Sequence, residues 1–161
     1  MIRHATLEDG VAIAAIYNHY IANTVVTFEE EPVDAAEMAG RVGDTRKCGL
    51  PWLVAVEADR VVGYGYLTKW KSRCSYRYSV ESSIYFAPDA TGRGLGSEIY
   101  RHLIDAARAL GLHAIIGGVS LPNPASTALH EKIGFKQVAH FRETGFKLNQ
   151  WIDVGYWELL L

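Results

Sequence analysis

The chain has 161 residues, a formal net charge of −2, and 49% hydrophobic against 21% charged residues. That is the size of one domain, 1–161, able to bury a core, and its charge balance gives no electrostatic reason to expect nucleic acid or an anionic membrane as partner. No apolar run approaches the ~20 residues of a bilayer-spanning helix, and Met1-Ile2-Arg3-His4 leads into patterned sequence rather than a signal peptide.

Residues 2–5 read as a short strand. Thr6-Leu7-Glu8-Asp9 then forms a capping-box-like start for a helix carrying Val11, Ile13, Ala14, Ile16, Tyr17 and Tyr20. Asp34 with Glu37 repeats the device before a helix over 35–47, with Met38, Ala39 and Val42 on its apolar side. Trp52–Val56 is an almost continuous apolar strand. Across the acidic turn Glu57-Ala58-Asp59, Val61–Leu67 is its expected hairpin partner. Residues 76–87, rich in aromatic and β-branched types, predict a long strand that Pro88 ends. Leu95, Ile99, Leu103, Ala106, Ala107 and Leu110 then recur at helical spacing over 93–110, with Gly111 as the stop. Residues 114–120 read as a strand and 124–132 as a helix ending at Gly134, and Phe135–Ala139 and Val154–Leu160 close the chain as strands. The expected class is α+β: a mixed central sheet in a three-layer arrangement, flanked by helices.

Cys48 and Cys74 form neither a CxxC pair nor a disulfide framework, which points to a reduced, cytoplasmic chain. The six histidines show no HxxxH or HExxH spacing, so no metal site is expected.

The unusual feature is A-T-G-R-G-L-G-S (90–97), with Gly92, Gly94 and Gly96 at the mouth of a helix. Each glycine costs about 0.5–1 kcal/mol relative to alanine in regular structure. A helix N-terminus offers unpaired N–H groups and partial positive charge to a phosphate, and glycine lets the backbone come close to it. Hydrogen bonds to a charged acceptor contribute roughly 1.5–3 kcal/mol each, so three or four offset the glycine cost. A flexible strand-to-helix turn is the plainer reading. No Lys-Ser or Lys-Thr follows the glycines, which excludes a P-loop, and Ser97 or Ile99 stands where a Rossmann fingerprint needs its third glycine.

The loop resembles the signature of the GNAT superfamily of N-acetyltransferases, Q/R-x-x-G-x-G/A between a long strand and a helix. Thr91-Gly92-Arg93-Gly94-Leu95-Gly96 fills that frame, with Thr91 in place of the usual Gln or Arg. I-Y-N-H-Y-I (16–21), T-F-E (27–29), G-Y-G-Y (63–66), Y-R-Y-S-V-E-S-S-I-Y (76–85) and L-H-E-K-I-G-F (129–135) are similar to the phosphinothricin and methionine-sulfoximine acetyltransferase branch. The resemblance covers essentially the whole chain. It implies a GNAT fold and acetyl-CoA as cosubstrate, with its diphosphate on the amides of 91–97 through Ser97 and its pantetheine arm along Ile84, Tyr85 and Phe86. Asn123, joined by Ser126 in L-P-N-P-A-S, resembles the asparagine that bonds the pantetheine amide; it also reads as an ordinary helix cap before Pro124. The implied reaction is transfer of an acetyl group to the α-amine of a small amino acid of the methionine sulfoximine, methionine sulfone or phosphinothricin type. A homodimer, with Trp151 at its interface, is expected by the same analogy.

The chemistry needs a neutral amine, hence a proton acceptor near the acyl end. Glu81, in an apolar and hydroxyl-rich strand, is the candidate base or amine-holding group; a structural pairing with Arg77 at period two is the alternative. A main-chain N–H near Ile84–Tyr85 suits the oxyanion. His130 stands where many superfamily members carry a tyrosine general acid, and the branch resembles this chain in having His there; it is either a proton donor to the thiolate or a half-buried helix histidine. For the substrate's carboxylate and side chain the candidates are Lys71, Ser72, Arg73, Arg77, Ser82, Ser83 and Phe28, with solvated charge as the alternative for Lys71 and Arg73. Two other functions remain open: acetylation of a polyamine or protein N-terminus, for which Glu29-Glu30-Glu31 is the one supporting feature, and a non-catalytic acetyl-CoA sensor.

Overall fold

A computed structural model describes residues 1–161. Strand β1 (Ile2–His4) leads into one 3-10 turn (Leu7–Asp9) and helix α1 (Gly10–Asn23). The expected cap is present in altered form: the Asp9 carboxylate accepts the Thr6 N–H at 2.8 Å and is gripped by both guanidinium nitrogens of Arg3, so α-helical structure starts only at Gly10. Asp34 Oδ1 accepts the Glu37 N–H at 2.8 Å and opens α2 (Ala35–Lys47) as expected.

Strands β2 (Trp52–Glu57), β3 (Arg60–Lys69) and β4 (Ser79–Phe86) follow, then α3 (Leu95–Ala109), β5 (Ala114–Leu121), α4 (Pro124–Lys132), β6 (Lys136–Lys147) and β7 (Gln150–Leu160). They form one mixed sheet in the order β1-β2-β3-β4-β5-β7-β6. Only β4 and β5 run parallel. Adjacent side chains of β4 point to opposite faces: Tyr85 meets Tyr17 and Tyr20 of α1, whereas Ser82 meets Tyr100 of α3. Helices thus cover both faces, which is the three-layer arrangement expected.

Three boundaries differ from the sequence reading. Residues 76–78 are not strand: Cys74–Tyr76 forms a 3-10 turn, and β4 starts at Ser79. Helix α3 starts at Leu95, leaving Arg93 and Gly94 in the loop. The two short closing strands are one long hairpin, 136–147 with 150–160, turned at Leu148 and Asn149 with φ of 50° and 60°.

The feature that makes a site is in the middle of the sheet. β4 and β5 are in register only from Ser79–Glu81 with Ala114–Ile116. Beyond Glu81 they diverge, so the edge of β4 facing β5 loses its strand partner and the sheet opens into a cleft.

Candidate active site

Two adjoining cavities occupy the opening. The smaller, about 60 Å³, is lined by Ser82, Ser83, Ile84 and Tyr85 from β4, Gly118 to Ser120 from β5, and Asn123, Ser126 and His130 around α4. The larger, about 490 Å³, continues past Phe86 to the whole loop Thr91–Ser97. Ile84, Tyr85, Asn123 and Ser126 line both, so the two spaces form one track from the glycine loop into the sheet.

At the loop end, Gly92 and Gly94 have φ of 73° and 83°, the left-handed region that L side chains rarely adopt, and no atom lies within 4 Å of where a Cβ would stand on either. Gly94 is the N-cap of α3. The peptide N–H groups of Gly92 through Ser97 make no hydrogen bond within the protein. Unpaired amides at a helix N-terminus are an arrangement that suits an anion. The Arg93 side chain pairs with Glu57 at 2.7 Å, while its main-chain N–H stays unpaired.

Of the two roles foreseen for Asn123 the cap is formed: its Oδ1 accepts the Ser126 N–H at 3.2 Å and opens α4, and the residue lines both cavities.

At the inner end, Glu81 is half-buried and belongs to none of the ion pairs of the molecule. The alternative pairing with Arg77 is not formed. Arg77 lies outside the strand, donates to the Cys74 carbonyl at 3.2 Å and sits over the Tyr78 ring. Burial holds the Glu81 carboxyl above its ordinary range, with Lys71 opposing that rise. The carboxylate reaches across to β5: a Cβ on Gly118 would stand 3.3 Å from Glu81 Oε1 and 3.2 Å from the Tyr156 ring.

His130 is buried on the opposite face, against Gly117, where a Cβ would overlap its ring. Its Nδ1 lies 2.8 Å from the Ser126 carbonyl, which only accepts, so Nδ1 carries the hydrogen. Burial lowers the pKa of the ring and keeps it neutral, so Nε2 accepts the Tyr100 hydroxyl at 2.8 Å. Ser82 Oγ lies 3.2 Å behind Tyr100. Tyr100 falls within the helix predicted over 93–110, and nothing in the sequence singles it out. Its place among the apolar positions of α3 conceals its hydroxyl.

The substrate candidates divide. Ser82 and Ser83 line the cleft, and Lys71 is close enough to Glu81 to affect its proton affinity, with its ammonium over the Trp70 ring. Ser72, Arg73 and Arg77 are exposed on the segment before β4 and line no part of the track. Phe28 packs its ring on Gly145 of β6 and does not line it either; Val26, two residues earlier, does. Glu29 is taken up structurally, held by both guanidinium nitrogens of Arg41 and by the Tyr17 hydroxyl. No group of three or more His, Cys, Asp or Glu side chains is placed to hold a metal ion.

Residues 2–155 match the model of the acetyltransferase (GNAT) domain. The chain belongs to the GNAT acetyltransferase family. This GNAT chain is 36% identical over 160 residues to an L-amino acid N-acyltransferase of Escherichia coli K12, covering 99% of this chain and 93% of that protein. It is 36% identical over 157 residues to a phosphinothricin N-acetyltransferase of Streptomyces viridochromogenes, covering 98% and 85%. Among solved structures, it superposes on a Salmonella typhimurium acetyltransferase with its cofactor acetyl-CoA at a TM-score of 0.97, with 35% identity, over 100% of this chain and 93% of that one. The mixed sheet and its flanking helices are thus the GNAT fold.

Proposed function

We propose that the chain, acting as one domain over 1–161, transfers the acetyl group of acetyl-CoA to the α-amine of a small amino acid of the methionine sulfoximine, methionine sulfone or phosphinothricin type. One observation carries this reading: β4 opens from β5 along a cleft with unpaired loop amides at one end and, beside Gly118 at the other, the half-buried carboxylate of Glu81, which forms no ion pair. The relatives act on substrates of this class by name.

The cosubstrate fits the residues present. The N–H groups of 92–97 suit its diphosphate, the unpaired edge of β4 at Ile84–Phe86 suits the amides of its arm, and the Asn123 amide is free to donate to them. Glu81 takes the proton that the ammonium must lose before nitrogen can attack the thioester; its raised proton affinity makes it a better base than a solvated carboxylate. A β4 main-chain N–H near Ile84–Tyr85 receives the charge that develops on the acyl oxygen. The departing sulfur takes its proton at the Tyr100–His130 pair, whose mobile hydrogen rests on the Tyr100 hydroxyl. Lys71, Ser82 and Ser83 are the nearest polar groups for the substrate's own carboxylate and oxygens.

The internal use of Glu29 by Arg41 and Tyr17 weakens the polyamine reading, because only Glu30 and Glu31 of the acidic run stay free, and both are exposed. Cytoplasmic detoxification of such amino-acid analogues by a homodimer completes the proposal. Val138, Phe141, Phe146, Leu148 and Trp151 supply an exposed apolar surface on the β6–β7 hairpin for the second copy. No helix is long and apolar enough to cross a membrane.

The test is release of free thiol from acetyl-CoA with L-methionine sulfoximine, L-methionine sulfone and phosphinothricin, set against spermidine and an N-terminal peptide amine. Turnover with the first group supports the reading. Turnover with the second alone, or with none, rejects it.

A further inference from the structure

Three buried side-chain polar atoms have no hydrogen-bond partner: Trp52 Nε1, Trp157 Nε1 and Ser120 Oγ. Neither tryptophan lines the cleft, and Ser120 does. Ser120 is only 7% exposed, so its hydroxyl has given up bulk solvent without gaining a protein acceptor. Nothing in the sequence marks it; it is one residue of an apolar strand.

Its position defines what can satisfy it. Successive β5 residues alternate between faces. Gly117 lies against His130, Gly118 lies under Glu81, and Ser120 therefore shares the Glu81 face, roughly 7 Å further along the strand. The direction is away from Ile116, where β4 and β5 still pair, and toward Asn123, which begins the larger cavity. An extended ligand running from the loop amides past Asn123 to Glu81 meets Ser120 last, just before its reactive end. Across the opening stand β4 and its unpaired edge, which itself suits an amide-bearing chain.

We propose that Ser120 is a binding residue for the acyl-coenzyme, its hydroxyl hydrogen-bonded to the amide of the pantetheine arm nearest the thioester. This rests on the acetyl-CoA reading above and extends it to a contact from the strand opposite β4. The bond fixes the arm from its second side, so the thioester carbon is presented to the amine at Glu81 in one orientation.

The test compares wild type with Ser120→Ala by calorimetric titration with acetyl-CoA and with adenosine 3′,5′-bisphosphate, which lacks the arm, together with thermal unfolding of the free proteins. Loss of one hydrogen bond predicts about fivefold to tenfold weaker acetyl-CoA binding. Affinity for the armless nucleotide stays unchanged. The free variant melts at or above the wild-type temperature, because the hydroxyl has no protein partner to lose. Equal acetyl-CoA affinity in both proteins overturns the assignment, as does an equal loss for both ligands or a lowered melting temperature of the free variant. A raised KM for the amino acid with unchanged acetyl-CoA affinity also overturns it, moving Ser120 to the acceptor side. Failure of wild type itself to bind acetyl-CoA rejects the proposed function together with this contact, whereas binding by wild type and variant alike rejects the contact alone.

Discussion

The Tyr100 hydroxyl donates to Nε2 of His130 across 2.8 Å, and the Ser126 carbonyl holds the other ring nitrogen at the same distance. The imidazole is thus fixed in one tautomer between a donor and an acceptor. Nitrogen-detected NMR of the free protein should show His130 protonated at Nδ1. The ring should stay neutral below the ordinary histidine value of about 6.5, since burial lowers its pKa. For this group stability rises with pH between the lowered folded value and the unfolded one, because the unfolded chain binds the extra proton.

Removing the hydroxyl isolates Tyr100. Tyr100→Phe leaves a buried nitrogen without its donor, a loss of about 1–3 kcal/mol in stability measurable by urea unfolding. It should also lower kcat while leaving the KM for acetyl-CoA near wild type, since no coenzyme contact is removed. An unchanged kcat would show that the leaving sulfur takes its proton elsewhere.

Glu81 gives a prediction of opposite sign for stability and rate. Its folded pKa is raised, so its contribution to stability is full below the unfolded value of about 4.3 and is lost as pH rises through the folded value. At pH 7, Glu81→Gln should therefore melt higher than wild type, and the difference should close at pH 4 and below. The same variant should lose about 10²–10⁴-fold in kcat, the usual worth of a general base, and retain acetyl-CoA affinity. A sensor without turnover would have no rate to lose.

Gly94→Ala tests the loop amides through the backbone alone. No atom crowds its Cβ, but φ is 83°, and a non-glycine residue there costs roughly 1–2 kcal/mol. Relaxation of that strain turns the loop amides away. The expected result is an acetyl-CoA KM at least several-fold higher, with the amino-acid KM little changed, in steady-state kinetics.

The hairpin surface is tested by Trp151→Asp. Trp151 is 63% exposed and its ring meets Phe146 at 4.9 Å between centroids, so the change disturbs surface rather than core. If the proposed homodimer forms through this surface, sedimentation should show it weakened to monomer, with the folded spectrum intact.

Much of the fold was legible because its signals are local. Asp34 and Asn123 cap helices as their spacing foretells, and the helical repeat of α3 needs no tertiary information. The β6–β7 hairpin was half hidden because β6 is an edge strand, exposed along most of its length, and its register shifts twice, between Gln137 and Ala139 and between Phe141 and Gly145. Neither feature leaves a clean alternation. Residues 76–78 misled because their aromatics favour strands, although Tyr76 and Tyr78 are exposed in a turn. In the site, the glycine loop and Glu81 stand out by residue type. Tyr100 and Ser120 do not, since what distinguishes them is one partner gained and one partner lacking, and both are tertiary facts.

The most direct measurement is a crystal structure with coenzyme A and L-methionine sulfone bound together. The expected density has the diphosphate on the peptide nitrogens of Gly92–Ser97, the sulfur in the opening between β4 and β5, and the amine within hydrogen-bond reach of Glu81. A diphosphate seated away from that loop, or an amine remote from Glu81, would contradict the assignment of this cleft to acyl transfer.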